Sequence, residues 1–350
     1  MKLIGKIAIF IGLIFLLQQC GKDKDLDNSS VKIPSGNGFE LLSEYNFFEG
    51  DLHDLIPNSL AGVLPYDLNM PLFSDYAAKK RFVYIPNGSI IAFDTTGVLD
   101  LPKGAVLIKH FYYPNSSGVE KYVETRLLIH KENGWQAETY EWNAAQTDAV
   151  RTIVGGNRSL TVEVNGQTET FNYLIPNQNQ CKNCHAYNGK IEPIGPVVQN
   201  LNKSYSYSSG TENQIDKWIS EGLLSSPSYT MIPSWPMMND ASASLNSKAR
   251  AYLATNCASC HRLAGSAANS GLYLEYSNND SASLGFWKTP VAAGAGSGGL
   301  TYVIKPGHAD ESILLFRMIS DQVNARMPEI GRSLAHEEGI ALIRDWIESQ

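Results

Sequence analysis

Two pentads constrain this chain more than anything else in it: Cys181-Lys182-Asn183-Cys184-His185 and Cys257-Ala258-Ser259-Cys260-His261. Each reads C-x-x-C-H. Thiols three positions apart lie one helical turn from each other, so each can form a thioether to one of the two vinyl groups of a haem. The histidine that follows is then held under the iron as its proximal ligand. The pair of pentads predicts two covalently bound haem c groups per chain, attached at Cys181, Cys184, Cys257 and Cys260, with His185 and His261 on the irons. Two cysteine pairs can instead share one zinc ion, but zinc ribbons separate their pairs by roughly 15–20 residues. Here Cys184 and Cys257 stand 73 positions apart. A redox disulfide within each pair is the other alternative. Neither requires histidine after both second cysteines.

The pentads use four of the five cysteines. The fifth, Cys20, has a different context. Lys2 and Lys6 precede an apolar run from Ile7 to Leu17, too short for a membrane span and suited to an export signal. Leu17-Gln18-Gln19-Cys20 is similar to a bacterial lipoprotein cleavage site, with Cys20 as the lipidated residue, although Gln19 stands where a small residue is usual. An ordinary cleaved signal and an uncleaved anchor are the other readings. Gly21 to Ser30 is polar and charged, as a tether would be. The expectation is an exported, lipid-anchored protein of the cell envelope, facing the periplasm or on the outer membrane. The net charge of −7 argues against a nucleic-acid partner, which normally requires a basic face.

From about Phe39 to Ile175 the chain has no cysteine and reads as strands. Arg81–Ile85, Ser89–Phe93, Ala105–Tyr113 and Tyr122–His130 are rich in Val, Ile, Phe and Tyr. Asn165-Gly166 between Leu160–Val164 and Thr168–Leu174 marks a hairpin with a type I′ turn. Several short strands with regular turns predict a β-sandwich-like domain. His53, His110 and His130 lie here and read as structural or surface residues rather than iron ligands.

After the first pentad, Thr211-Glu212-Asn213-Gln214 reads as a capping box, followed by Ile215, Trp218 and Ile219 on one helical face. Met231-Ile232-Pro233 offers a thioether on a loop as sixth ligand for the first iron, with Met237 and Met238, a histidine or an open position as alternatives. Before the second pentad, Leu245, Ala249, Tyr252 and Leu253 keep helical spacing. Gly294-Ala295-Gly296-Ser297-Gly298-Gly299 formally matches a dinucleotide-binding motif, but its context reads as loop. Met327, 66 positions after His261, is the expected sixth ligand of the second iron. Glu337 to Ile347 predicts a closing amphipathic helix with Ile340, Ile343, Trp346 and Ile347 buried.

With these residues in view, the C-terminal half resembles two class I cytochrome c domains in tandem, and the separation of Met327 from His261 is typical of them. The chain from about residue 40 onward resembles a family of exported bacterial two-haem c-type cytochromes. The matching stretches are Pro65–Ala77, Glu124–His130, Trp142–Ala149, Ile175–His185, Gly195–Asn202 and Met327–Ser333. The resemblance implies haem binding and electron transfer. The expected fold is multidomain α+β: a β-sandwich-like domain over residues 39–176, then mainly α-helical cytochrome c-like domains over 177–240 and 241–350, behind a signal at 1–20 and a tether at 21–38. The expected function is transfer of single electrons between redox partner proteins of the envelope. Two alternatives stand beside it: a two-haem peroxidase-like enzyme with an open first iron, and a ligand-binding β-domain with the haems as its electron outlet.

Overall fold

The computed structural model describes residues 30–350 except residues 116, 229, 230 and 292. The export segment and Cys20 lie outside the described residues. Among the described residues no helix is long and apolar enough to cross a membrane.

The organising element is one six-stranded sheet: β1 (Val63–Tyr66), β2 (Ala78–Tyr84), β3 (Val106–Pro114), β4 (Glu120–Lys131), β5 (Gly134–Trp142) and β6 (Ala149–Thr152). The strands pair antiparallel in sequence order, so the sheet is an up-and-down meander. A separate hairpin follows, β7 (Gly156–Val164) with β8 (Gln167–Ile175). Its turn residues Asn165 and Gly166 have φ of 50° and 77°, the positive values that a type I′ turn demands.

Because side chains alternate along a strand, the sheet presents two faces. One buries Phe82, Val106, Ile108, Leu127 and Trp142 under Leu42, Tyr45 and Phe47 of the N-terminal segment. The other face is covered at two places. At one end Val83, Ile85 and Ala105 pack against Val198, Leu201, Ile215 and Trp218. At the other end Phe111 and Val123 pack against Phe171 and Tyr173 of the hairpin. Between these two apolar clusters the sheet borders a cavity.

Seven α-helices occur among the described residues: α1 (Gln178–His185), α2 (Val198–Leu201), α3 (Gln214–Ser220), α4 (Leu245–Asn256), α5 (Ser281–Leu284), α6 (Ile313–Ile319) and α7 (Glu337–Glu348). Helices α4, α6 and α7 share a core of Leu253, Leu315, Ile343 and Trp346, into which Met70 from the loop after β1 is also buried.

This architecture corrects the expected fold class. Strand makes up 28% of the described residues and helix 23%, and most of the helices are short, so there are not two mainly α-helical cytochrome c-like domains. The β-rich part is a single meander with a hairpin, not two facing sheets. The physical reason is where the apolar stripe of α3 goes. Ile215 and Trp218, 1% and 0% exposed, are buried against sheet residues and not against other helices. The helix start also differs from the capping box expected at Thr211. Gly210–Asn213 pairs with Ser204–Tyr207 as a small hairpin, and Asn213 caps α3 by accepting from the Ile215 N–H at 2.8 Å. The glycine-rich run at Gly294 is a single 3-10 turn, as its loop reading requires.

The hairpin is tied to the sheet by a buried acid. Glu124 on β4 is 0% exposed and accepts from Arg126 Nε at 3.0 Å and from Tyr173 Oη, on β8, at 2.6 Å. A second Arg126 nitrogen, Nη2, also donates to it. Removing one partner of such a pair leaves the other charge desolvated and unmatched. Glu124→Ala is therefore expected to destabilise the protein by about 2–4 kcal/mol, the partial exposure of Arg126 holding the loss to this range. A denaturant melt with an unchanged midpoint would refute the role of this network.

Candidate haem-attachment site

Helix α1 carries the first pentad. It contains no large apolar residue, and none of its residues is fully buried. Eight residues are too few for a helix to persist on propensity alone. What holds it is a capping box, in which Asn177 Oδ1 accepts from the Gln180 N–H at 2.8 Å and Gln180 Oε1 accepts from the Asn177 N–H at 2.9 Å. Gln178 Nε2 also donates to the Ala137 carbonyl on β5 at 3.3 Å. The functional groups of the helix, Cys181, Cys184 and His185, face a cavity of about 240 Å³. Apolar side chains including Leu72, Leu107, Leu128, Ile194, Val197 and Ile330 line it.

The imidazole of His185 has one nitrogen engaged and the other free. Its Nδ1 lies 2.9 Å from the Glu192 carbonyl, which can only accept, so Nδ1 carries the proton and Nε2 keeps its lone pair. Burial, with help from Lys109, Arg126 and Arg262, lowers its pKa to about 4 and so keeps the ring neutral at pH 7. His261 repeats the arrangement. Its Nδ1 lies 3.3 Å from Ser270 Oγ, whose own proton goes to the Ala267 carbonyl at 2.7 Å. Burial first, and Arg317 second, lower the His261 pKa to about 4.

The second pentad follows α4 as a turn, with the N–H groups of Cys260 and His261 both donating to the Cys257 carbonyl, at 3.2 and 3.0 Å. The two pentads touch. Cys260 Sγ donates to the Asn183 carbonyl at 3.1 Å, and Ser266 Oγ donates to the same oxygen at 2.6 Å. The Cys184 and Cys260 thiols lie within hydrogen-bonding reach of each other. Cys260 lines the same cavity as Cys181, Cys184 and His185. Cys257 lies elsewhere, in a small cavity of about 30 Å³ with Tyr252, Met318 and Arg332. Burial pushes its thiol up to about 12.

The methionines divide. Met327 sits in a loop pinned to the end of α6: its N–H donates to the Arg317 carbonyl at 2.8 Å, and Arg332 Nε donates to its carbonyl at 3.0 Å. Arg317 is also the charge that acts on His261, which puts this loop in the same neighbourhood. Met327 itself borders neither cavity, whereas its neighbour Pro328 borders both. Met231 is 84% exposed and does not line the cavity of His185. The histidines of the sheet also stay away. His110 is fully buried on the opposite face, with Nδ1 2.7 Å from Thr125 Oγ1. His130 stacks on Trp135, and its Nδ1 meets the Leu101 carbonyl at 2.8 Å.

The wall opposite the apolar lining was not foreseen from sequence. Register aligns Tyr66, Arg81, Lys109, Arg126 and Thr139 in one row across β1 to β5, and all five border the cavity. Arg81 Nη1 pairs with Asp67 at 2.9 Å, and Arg126 pairs with Glu124. Leu107 and Phe111, two positions either side of Lys109, are the signal that could have marked this face as interior.

The first pentad fits covalently attached haem, whereas the two cysteines of the second border different cavities. The first pentad offers two thiols one turn apart and a neutral imidazole with a free Nε2, all on one cavity, and the second offers the same imidazole arrangement. Among the described residues, no three His, Cys, Asp or Glu side chains gather as they would around a bare metal ion. Comparison of the chain with protein-family models, with curated proteins and with solved structures returns no match.

Proposed function

We propose that this chain is a two-haem c-type electron carrier of the cell envelope. The first haem is held by Cys181, Cys184 and His185, and the second by Cys257, Cys260 and His261 with Met327 as sixth ligand. Bound haem supplies one-electron chemistry at each iron. The chain supplies attachment, fixes each imidazole by its Nδ1 hydrogen bond, and limits solvent access. The observation that carries this reading is the contact between the pentads: Cys260 Sγ is 3.1 Å from the Asn183 carbonyl, and Cys184 and Cys260 are neighbours. Groups bonded to these two sulfur atoms start from adjacent anchors, as intramolecular electron exchange requires.

A peroxidase-like reading keeps one argument in its favour. Among the described residues, the cavity of His185 is lined by no methionine and no second histidine, so the first iron has no conventional sixth ligand there.

Mature protein purified from a host that matures c-type cytochromes is expected to contain two haems per chain by pyridine haemochrome. Both should take up one electron reversibly, without turnover of peroxide. Haem-free protein would overturn the proposal, and sustained peroxide turnover would replace the carrier with the enzyme. Cys257→Ala should lower the haem count of the second site and leave the first attached. Met327→Ala should turn one low-spin ferric haem into a high-spin one that binds azide or cyanide; an unchanged spectrum would remove Met327 from the iron.

A further inference from the structure

Lys109 occupies an unusual position. It sits at the middle of β3, opposite Arg81 of β2 and Arg126 of β4 in the ladder, and borders the cavity of the first pentad. Its two cationic neighbours have acids of their own, Asp67 and Glu124. Lys109 has none. Among the described residues no hydrogen bond or ion pair is made by its Nζ, which lies 5.2 Å from the centre of the Phe111 ring. A side chain that ends in three donors normally finds acceptors when it is taken out of water. Here it borders the same cavity as the thiols of Cys181 and Cys184 and the imidazole of His185.

Two other polar side chains on this cavity, Glu138 and Asn200, are engaged, and the unpartnered nitrogens of Arg81 and Trp235 have no lone pair to offer a metal. Glu138 takes hydrogen bonds from Gly38, Gln136, Arg151 and Gln178. Asn200 exchanges hydrogen bonds with the backbone of Met70, at 2.8 and 3.0 Å. Met231 lies on the surface, away from this cavity.

We propose that Lys109 supplies the sixth ligand of the first haem iron, its Nζ binding from the sheet while His185 binds from α1. The inference rests on the reading of Cys181–His185 as a haem site. A lysine must shed its proton to coordinate. Burial, together with Arg81, Lys79 and Arg126, pushes the Lys109 amine well below the ordinary lysine range, which lowers the cost of shedding that proton. Lys109 also lies within electrostatic reach of His185. An imidazole–amine iron lacks the soft thioether that raises potential at a methionine-ligated centre. The first haem should therefore have the lower potential of the two.

Three proteins test this: wild type, Lys109→Ala and Lys109→Arg. Arginine keeps the charge but does not deprotonate and cannot ligate. In ferric wild type, near-infrared magnetic circular dichroism should show one charge-transfer band of imidazole–amine type and one of imidazole–thioether type. Both variants should retain two haems by pyridine haemochrome while one turns high-spin and binds azide. A low-spin first haem in Lys109→Arg would show that the lysine serves as a charge only and would overturn the proposal. So would the absence of the imidazole–amine band in wild type, a readout that does not depend on how well the variants fold. Wild type without haem would instead sink the functional reading on which the inference stands.

Discussion

Three cations on neighbouring strands cannot share a buried face without compensation. Side chains directly opposite in a sheet stand about 5 Å apart at Cβ, and two like charges at that separation repel by about 3 kcal/mol at an effective dielectric constant of about 20. The row Arg81, Lys109, Arg126 meets this constraint in two ways. Its outer members are matched by Asp67 and Glu124, and Asp67 also takes Lys203 at 2.8 Å. Its central member is unmatched, and burial beside two cations makes its proton easier to lose. The acids that do this work also hold the fold together. Glu124 joins sheet to hairpin through Tyr173, and Asp67 joins the loop after β1 to the segment that begins the cover of the opposite end. The electrostatics of the cavity wall and the attachment of its surroundings are thus one problem with one solution.

The same row explains why the sheet is not a separate module beside the half that carries the pentads. Along β3 the inner face reads Leu107, Lys109, Phe111: apolar, cationic, apolar. Leu107 belongs to the cluster covered by α2 and α3, and Phe111 to the cluster covered by the hairpin. The sheet is dry at both ends of this face, and its middle borders the first pentad. Lys109 is consequently enclosed by elements from three parts of the chain.

What could be read from the sequence follows from how local each signal is. The pentads, the Asn165-Gly166 turn and the closing helix are set by neighbours within a few residues, and each occurs at the expected positions. The partner of an amphipathic stripe is not local. Ile215, Trp218 and Ile219 announce a helix with a buried face, but nothing in those residues says that a sheet more than a hundred positions earlier will cover it. Lys109 was passed over for a related reason. A lysine in an alternating strand reads as the solvent side, and only the bulky Leu107 and Phe111 on the same side contradict that. Thr211 was a plausible cap that lost to hairpin pairing, which uses residues on both sides of it.

The contact between the pentads depends on backbone that approaches more closely than side chains allow. Tyr187 and Gly265 form a bridge, and the Asn188 N–H donates to the Ala264 carbonyl at 3.1 Å. A Cβ at Gly265 would stand 2.5 Å from the Cys260 carbonyl oxygen, inside the turn that carries the second pentad. Backbone atoms cannot swing aside as a flexible side chain can, so glycine there is a condition of the geometry. Arg262 then stacks over the Tyr187 ring, 4.3 Å from its centre, across the same junction. Two motifs 73 positions apart are brought together by this small patch of main chain, one missing side chain and one stacked cation. Any widening of the patch would separate the Cys184 and Cys260 sulfurs before it disturbed either pentad, so the spacing of the two motifs is set at this junction and not within the motifs themselves.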